Sequence, residues 1–207
     1  NAARAAAGDE ATDAAGACVA DIEAVVTAEP TAASNGALPY DLVAELDAAA
    51  RASFERDVAA PGAIVGVRTP EGTWTAAYGL ADPDRDEPME VGMHTRIGSV
   101  TKTFTGTALM QLVEAGELSL DDTIDTYVAD VPNGDRITLR QLANMTSCLQ
   151  SYTKVTEFTD TYFAAPETVF DADELIEVGL DASPVFEPGE QFDYSNTNTL
   201  LLGKVIE

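Results

Sequence analysis

Thr95-Arg96-Ile97-Gly98-Ser99-Val100-Thr101-Lys102-Thr103-Phe104 sets a hydroxyl and an amine three residues apart where a helix is expected to begin. Three residues are nearly one helical turn, so Ser99 and Lys102 should project from one face within reach of each other. A serine hydroxyl is a poor nucleophile at neutral pH and needs a base at hydrogen-bond distance, helped by local positive potential. Lys102 can supply the first and the N-terminus of the helix the second. After Ser99, the residues Val100, Phe104, Ala108, Leu109, Leu112 and Val113 recur at helical spacing and stop at Gly116, a C-cap signal.

Ser-x-x-Lys is a short pattern. With eight Ser and three Lys in 207 residues, coincidence alone gives on the order of 0.1 matches. The chain holds two, the second being Ser151-Tyr152-Thr153-Lys154. Val155, Thr156, Thr159 and Thr161 follow it as a β-branched run without a clean period. The helical context therefore selects Ser99 as the nucleophile candidate.

Upstream, Asp41 is expected to cap a helix with apolar positions Leu42, Leu46, Ala50, Phe54 and Val58, stopped by Pro61-Gly62. Ala63–Arg68 and Thr73–Tyr78 read as strands of an antiparallel hairpin about the turn Thr69-Pro70-Glu71-Gly72. Residues 80–96 read as a charged connection to the Ser99 helix. The Ala-rich residues 1–36 are expected to be a mobile tail, with the folded part at 37–207.

Downstream, about 118–190 reads as a helical subdomain. Thr138 is a cap for a short helix over Ile137–Met145, and Asp171 with Glu174 forms a capping-box pattern ahead of Leu175, Ile176 and Val178. Asn144-Met145-Thr146 is formally a glycosylation sequon, read here as a helix end. The last apolar run, Leu200–Ile206, ends without a cap, and the expectation is a sheet with more strands than this chain supplies.

Composition excludes several function classes. The formal charge of −25, from 36 acidic and 11 basic residues, repels phosphate backbones and argues against nucleic acid as a partner. Acids spread along the whole chain fit either a solubility surface or adaptation to high salt, where carboxylates are screened from one another. One histidine, His94, and two distant cysteines, Cys18 and Cys148, make a zinc site improbable. Ser99 lacks the Gly-x-Ser-x-Gly elbow, and only His94 could serve a Ser-His-Asp triad. No metal or cofactor is expected. Cys18 and Cys148 could pair in an oxidising compartment or stay as thiols. No apolar run approaches membrane-spanning length, and the first residue is Asn1 rather than Met, which leaves room for a leader that is already absent.

Taken in order, Ile97–Phe104, Leu112–Asp122, Ile137–Leu142, Thr146-Ser147, Pro188-Gly189, Tyr194-Ser195-Asn196 and Leu201-Leu202-Gly203 resemble the penicillin-recognising serine hydrolases. The nearest branches are the exported D-alanyl-D-alanine carboxypeptidases and class C β-lactamases. The resemblance implies an α/β (α+β) fold of the β-lactamase/transpeptidase type, an antiparallel sheet flanked by helices with a helical subdomain. It also implies a secreted or cell-envelope setting. By the resemblance, Ser99 is the acylated nucleophile, Lys102 its proton acceptor or tuning charge, Tyr194 the phenolic acid/base and Asn196 the holder of the substrate amide. Its substrates are small molecules or peptides: β-lactams, peptides ending in D-Ala-D-Ala, or esters.

Three departures stand out. The family usually has a His before Thr-Ser-Gly, where this chain has Met145, and Cys148 stands where the family has a residue suited to positive φ. The third family motif, Lys or His followed by Thr-Gly, occurs nowhere in the 207 residues. In the family its strand gives an oxyanion donor, whose loss typically costs about 10²–10³ in rate. Two readings follow: an acyl-transfer serine hydrolase whose remaining motif lies on a further C-terminal segment, or a non-catalytic binding module that keeps the motifs without the chemistry.

Overall fold

The structure, a computed structural model, describes residues 36–57, 60–182 and 184–207. The expected tail, Cys18 and Val58 thus lie outside the described residues, apart from Gly36 at the tail's end. The chain divides into two compact units, one ending at Thr95 and the other running from Arg96 to Glu207.

The first unit is a helix and a small sheet. α1 (Tyr40–Asp57) begins one residue before the expected cap, so Asp41 sits in its first turn, where a carboxylate favours the helix dipole. β1 (Gly62–Arg68) and β2 (Thr73–Asp82) pair antiparallel from Gly62 opposite Gly79 to Arg68 opposite Thr73. The turn between them closes as expected, Thr69 N–H donating to the Gly72 carbonyl at 2.9 Å. The segment read as connection contributes two pieces that the sequence pattern did not signal. β2 runs on to Asp82, and β3 (Glu87–Pro88) adds a short third strand through Leu80 and Asp82. α1 packs on β2 through Tyr78, whose hydroxyl donates to Asp47 at 2.9 Å while Phe54 stacks near its ring.

The second unit is helical around one apolar core. A 3₁₀ turn over Gly98–Val100 leads into α2 (Thr101–Ala115), which ends on Gly116 at φ 74°, the left-handed cap the sequence signalled. α3 (Leu139–Ala143) is shorter than expected, but its capping box is complete: Gln141 N–H donates to Thr138 Oγ1, and Thr138 N–H to Gln141 Oε1. α4 (Thr156–Ala164) shows that the β-branched run after Ser151, which had no clean period in sequence, folds as a helix. α5 (Ala172–Asp181) carries the second capping box, from Asp171 and Glu174, and α6 (Asn196–Ile206) closes the unit.

Leu109 of α2, Leu139 and Leu142 of α3, Ile176 of α5 and Leu201 and Leu202 of α6 meet Ile124 and Ile137 in that core. Fully burying one such side chain is worth about 1.5–3 kcal/mol. Gly179 lets α5 close on α6, since a side chain there would collide with Thr197. Cys148, which is buried, keeps the positive φ of its turn at 72°, beside Met145 at 64°. The turn thus survives without the glycine that the resemblance placed there. No helix among the described residues is long and apolar enough to cross a membrane.

Candidate active site

Two short pieces of backbone bring the site together within the second unit. The first is the 3₁₀ turn holding Ser99. Lys102 follows three residues on, in the first turn of α2, on the same face, and its Nζ donates to Ser99 Oγ at 3.3 Å. Gly98, at φ 52°, supplies the left-handed residue that starts the turn. The second is Tyr194-Ser195-Asn196, which enters α6. Tyr194 Oη lies 2.8 Å from Ser99 Oγ, and Lys102 Nζ sits 4.9 Å from the centre of the Tyr194 ring. Lys102 Nζ also donates to Asn196 Oδ1 at 2.6 Å. The four predicted side chains therefore form one cluster, although 95 residues separate Ser99 from Tyr194.

The electrostatics suit proton transfer. The Lys102 ammonium and the hydrogen bond with Ser99 hold the Tyr194 phenol below its ordinary range, against a smaller opposing effect of burial. Ser99 is exposed, so its oxygen can be reached from solvent. With Tyr194 as a phenol, both neighbours donate to Ser99 Oγ. With Tyr194 as a phenolate, the 2.8 Å contact reverses and Ser99 becomes the donor.

The second Ser-x-x-Lys segment lies under this cluster and acts as its support, a role that its sequence did not reveal. Ser151 is fully buried, and its Oγ accepts the Asn196 backbone N–H at 3.0 Å and Asn196 Nδ2 at 3.4 Å. Thr153 Oγ1 accepts the same Nδ2 at 3.1 Å. The first N–H groups of a helix have no partner inside it; Ser195, the N-cap of α6, makes no side-chain cap bond, and Ser151 satisfies the Asn196 N–H instead. These bonds also orient the amide, leaving Oδ1 toward Lys102. Lys154 turns away and pairs with Asp193 at 2.6 Å, next to Tyr194. The sequence signal for this support was faint: a second match to the motif and hydroxyls at two alternate positions.

A cavity of about 620 Å³ opens beside the cluster, lined by Ser99, Lys102 and Asn196 together with Tyr152, Phe158 and Tyr162. His94 lines a different cavity in the first unit, with Met89 and Met93. Among the described residues, no group of His, Cys, Asp and Glu is arranged to hold a metal ion.

Comparison with known proteins bears on the fold and the family. A family model described as Beta-lactamase matches residues 49–207. Penicillin-binding protein 4* of Bacillus subtilis (strain 168) is 30% identical over 133 residues, covering 63% of this chain and 28% of that protein. A D-stereospecific amidohydrolase from Streptomyces sp. superposes with a TM-score of 0.69 at 32% identity, covering 80% of this chain and 48% of that one. A class C beta-lactamase at 23% identity and a TM-score of 0.61, matched over 80% of this chain and 43% of its own, shares the fold. The chain thus spans between about a quarter and a half of the length of these proteins.

Proposed function

The chain belongs to the Beta-lactamase family, whose members are serine hydrolases, and from that premise we propose that Ser99 attacks an amide carbonyl to form an acyl-enzyme. The observation that carries the reading is the convergence on Ser99 Oγ of Tyr194 Oη at 2.8 Å and Lys102 Nζ at 3.3 Å. Tyr194, whose phenol the Lys102 and Ser99 hydrogen bonds hold below its ordinary range, reacts as the phenolate and accepts the Ser99 proton as Oγ bonds to the carbonyl carbon. Collapse of the tetrahedral adduct breaks the C–N bond, and the leaving nitrogen takes the proton back from Tyr194. Water then cleaves the Ser99 ester and releases the acid. Lys102 acts as the tuning charge in this scheme, and Asn196, which lines the cavity and accepts from Lys102, fixes Lys102 and holds the substrate amide.

The substrate class is an amide adjoining a D-configured centre: a peptide ending in D-Ala-D-Ala or a β-lactam. The penicillin-binding relative and the D-stereospecific neighbour support that choice. Such substrates would place the protein outside the cytoplasm, at the cell envelope or secreted.

The test is covalent labelling with a fluorescent penicillin and with a small fluorophosphonate, read as end-point occupancy by peptide mass spectrometry. Prolonged exposure tolerates the loss of about 10²–10³ in rate expected without the third motif's oxyanion donor. The expected result is an adduct on Ser99 that Ser99→Ala lacks. Adducts elsewhere, or none on Ser99 with either probe, would overturn the reading.

A further inference from the structure

Tyr152, Phe158, Tyr162, Phe163 and Phe170 crowd into one short segment of the chain, and their placement bears on which acyl group Ser99 receives. Phe158 sits at the centre of the group. Tyr152 meets it edge-on at 4.9 Å, Tyr162 stacks at 5.8 Å and Phe170 tilts against it at 5.1 Å. Such contacts fix the ring orientation before any ligand arrives. Tyr162 and Phe163, by contrast, are 45% and 79% exposed, and both line the cavity that holds Ser99. Aromatic surface left open beside a nucleophile is surface available to substrate.

Two features define what enters. Tyr194, which returns the proton to the leaving nitrogen, does not line this cavity, whereas Ser99 and Asn196 do, and that favours the cavity as the seat of the acyl side. Its charge is also unusual for this chain: with 36 acidic residues in the sequence, the described lining holds no carboxylate, and its one charged group is Lys102. A free α-ammonium would find no counter-ion there and would face Lys102.

We infer that this cavity is the acyl-side specificity pocket and that it selects an uncharged, N-blocked acyl donor carrying an aromatic side chain, with Phe158, Tyr162 and Phe163 as the selecting residues. The inference rests on the acyl-enzyme reading above and deepens it. Attack by Ser99 on a thioester of such a donor forms the Oγ–C bond and breaks the C–S bond. The sulfur takes up the proton that Tyr194 received from Ser99 and leaves as the free thiol.

The experiment compares kcat/KM for N-acetyl-D-phenylalanyl and N-acetyl-D-alanyl thioesters of one thiol, with D-phenylalanyl thioester bearing a free amine as a third substrate. The expected preference for the phenylalanyl over the alanyl donor is about tenfold or more, with the free amine slower than its acetylated form. In Phe158→Ala, and in a Tyr162→Ala/Phe163→Ala double variant that removes only exposed rings, the preference should fall to within about threefold. A ratio of two substrates does not change with the fraction of protein folded, so instability of a variant cannot mimic the effect. Ser99 labelled by fluorophosphonate but indifferent to the side chain overturns the pocket and leaves the acyl-enzyme reading intact, as does a preference that survives in both variants. An unlabelled Ser99 overturns both.

Discussion

Ser99-Val100-Thr101-Lys102 and Ser151-Tyr152-Thr153-Lys154 have the same residue spacing and opposite fates. The first serine is exposed on a turn, with an amine at 3.3 Å and a phenol at 2.8 Å aimed at its oxygen. The second has no accessible surface, and its oxygen is occupied by the Asn196 backbone and side chain. Lys102 faces its serine, whereas Lys154 faces Asp193. A nucleophile must be reachable and must have spare donor and acceptor capacity, and Ser151 has neither. The pair works as one device: the buried copy sets the Asn196 amide that receives Lys102, and Lys102 serves the exposed copy.

Exchange of each serine for alanine gives the largest contrast. Ser99→Ala should abolish covalent labelling, with a thermal transition close to that of the parent. Ser151→Ala should still label at Ser99, more slowly, because Lys102 loses the fixed orientation of its Asn196 partner. Labelling that depends on Ser151 and survives without Ser99 would invert the comparison.

Tyr194→Phe comes next. Removing an acid/base group should cost about 10²–10⁴ in the acylation rate. The phenol is held below its ordinary range by Lys102 and Ser99, and the phenolate is the reactive form. The parent rate should therefore rise with pH through that lowered value and level off above it, and the rising limb should vanish in Tyr194→Phe. A parent profile that falls over the same range would remove Tyr194 as the base.

Stability separates the two segments at a smaller scale. Ser151→Ala leaves the Asn196 backbone N–H without its acceptor and should lower the unfolding free energy by about 1–3 kcal/mol, measured by denaturant titration. The same exchange at exposed Ser99 should stay within about 0.5 kcal/mol. Equal losses would mean that Ser151 is no more structural than Ser99.

Lys154→Ala should have the smallest effect. Its side chain is 45% exposed and that of Asp193 30%, so the pair is worth about 1 kcal/mol or less. Any loss should disappear in molar salt, where the screening length falls to about 3 Å. The parent itself, at a formal −25, is expected to melt higher in molar salt than in dilute buffer; equal melting in both would remove the salt-adaptation expectation.

Local chemistry explains which elements were legible. The boxes at Thr138/Gln141 and Asp171/Glu174 and the cap at Gly116 join groups within three or four residues, so they act wherever the chain puts them. α4 showed no clean period because Thr156, Thr159 and Thr161 weaken intrinsic helix preference; packing of Phe158 against Tyr152 and Phe170 outweighs that preference. β3 is two residues long and has no periodicity to read.

Sequence alone supplied the Ser99/Lys102 pair as a candidate, the two capping boxes, the Gly116 cap and the hairpin turn, because short-range sterics and hydrogen bonds depend on neighbours along the chain; Tyr194 and Asn196 entered through the ordered resemblance to a family. Tertiary structure alone decided which Ser-x-x-Lys copy is open to solvent and which is sealed beneath α6. That choice depends on contacts 43–45 residues apart, from Ser151 and Thr153 to Asn196. The closure entropy of so long a loop is offset only when the core joining α3, α5 and α6 has formed, and no local pattern encodes that event.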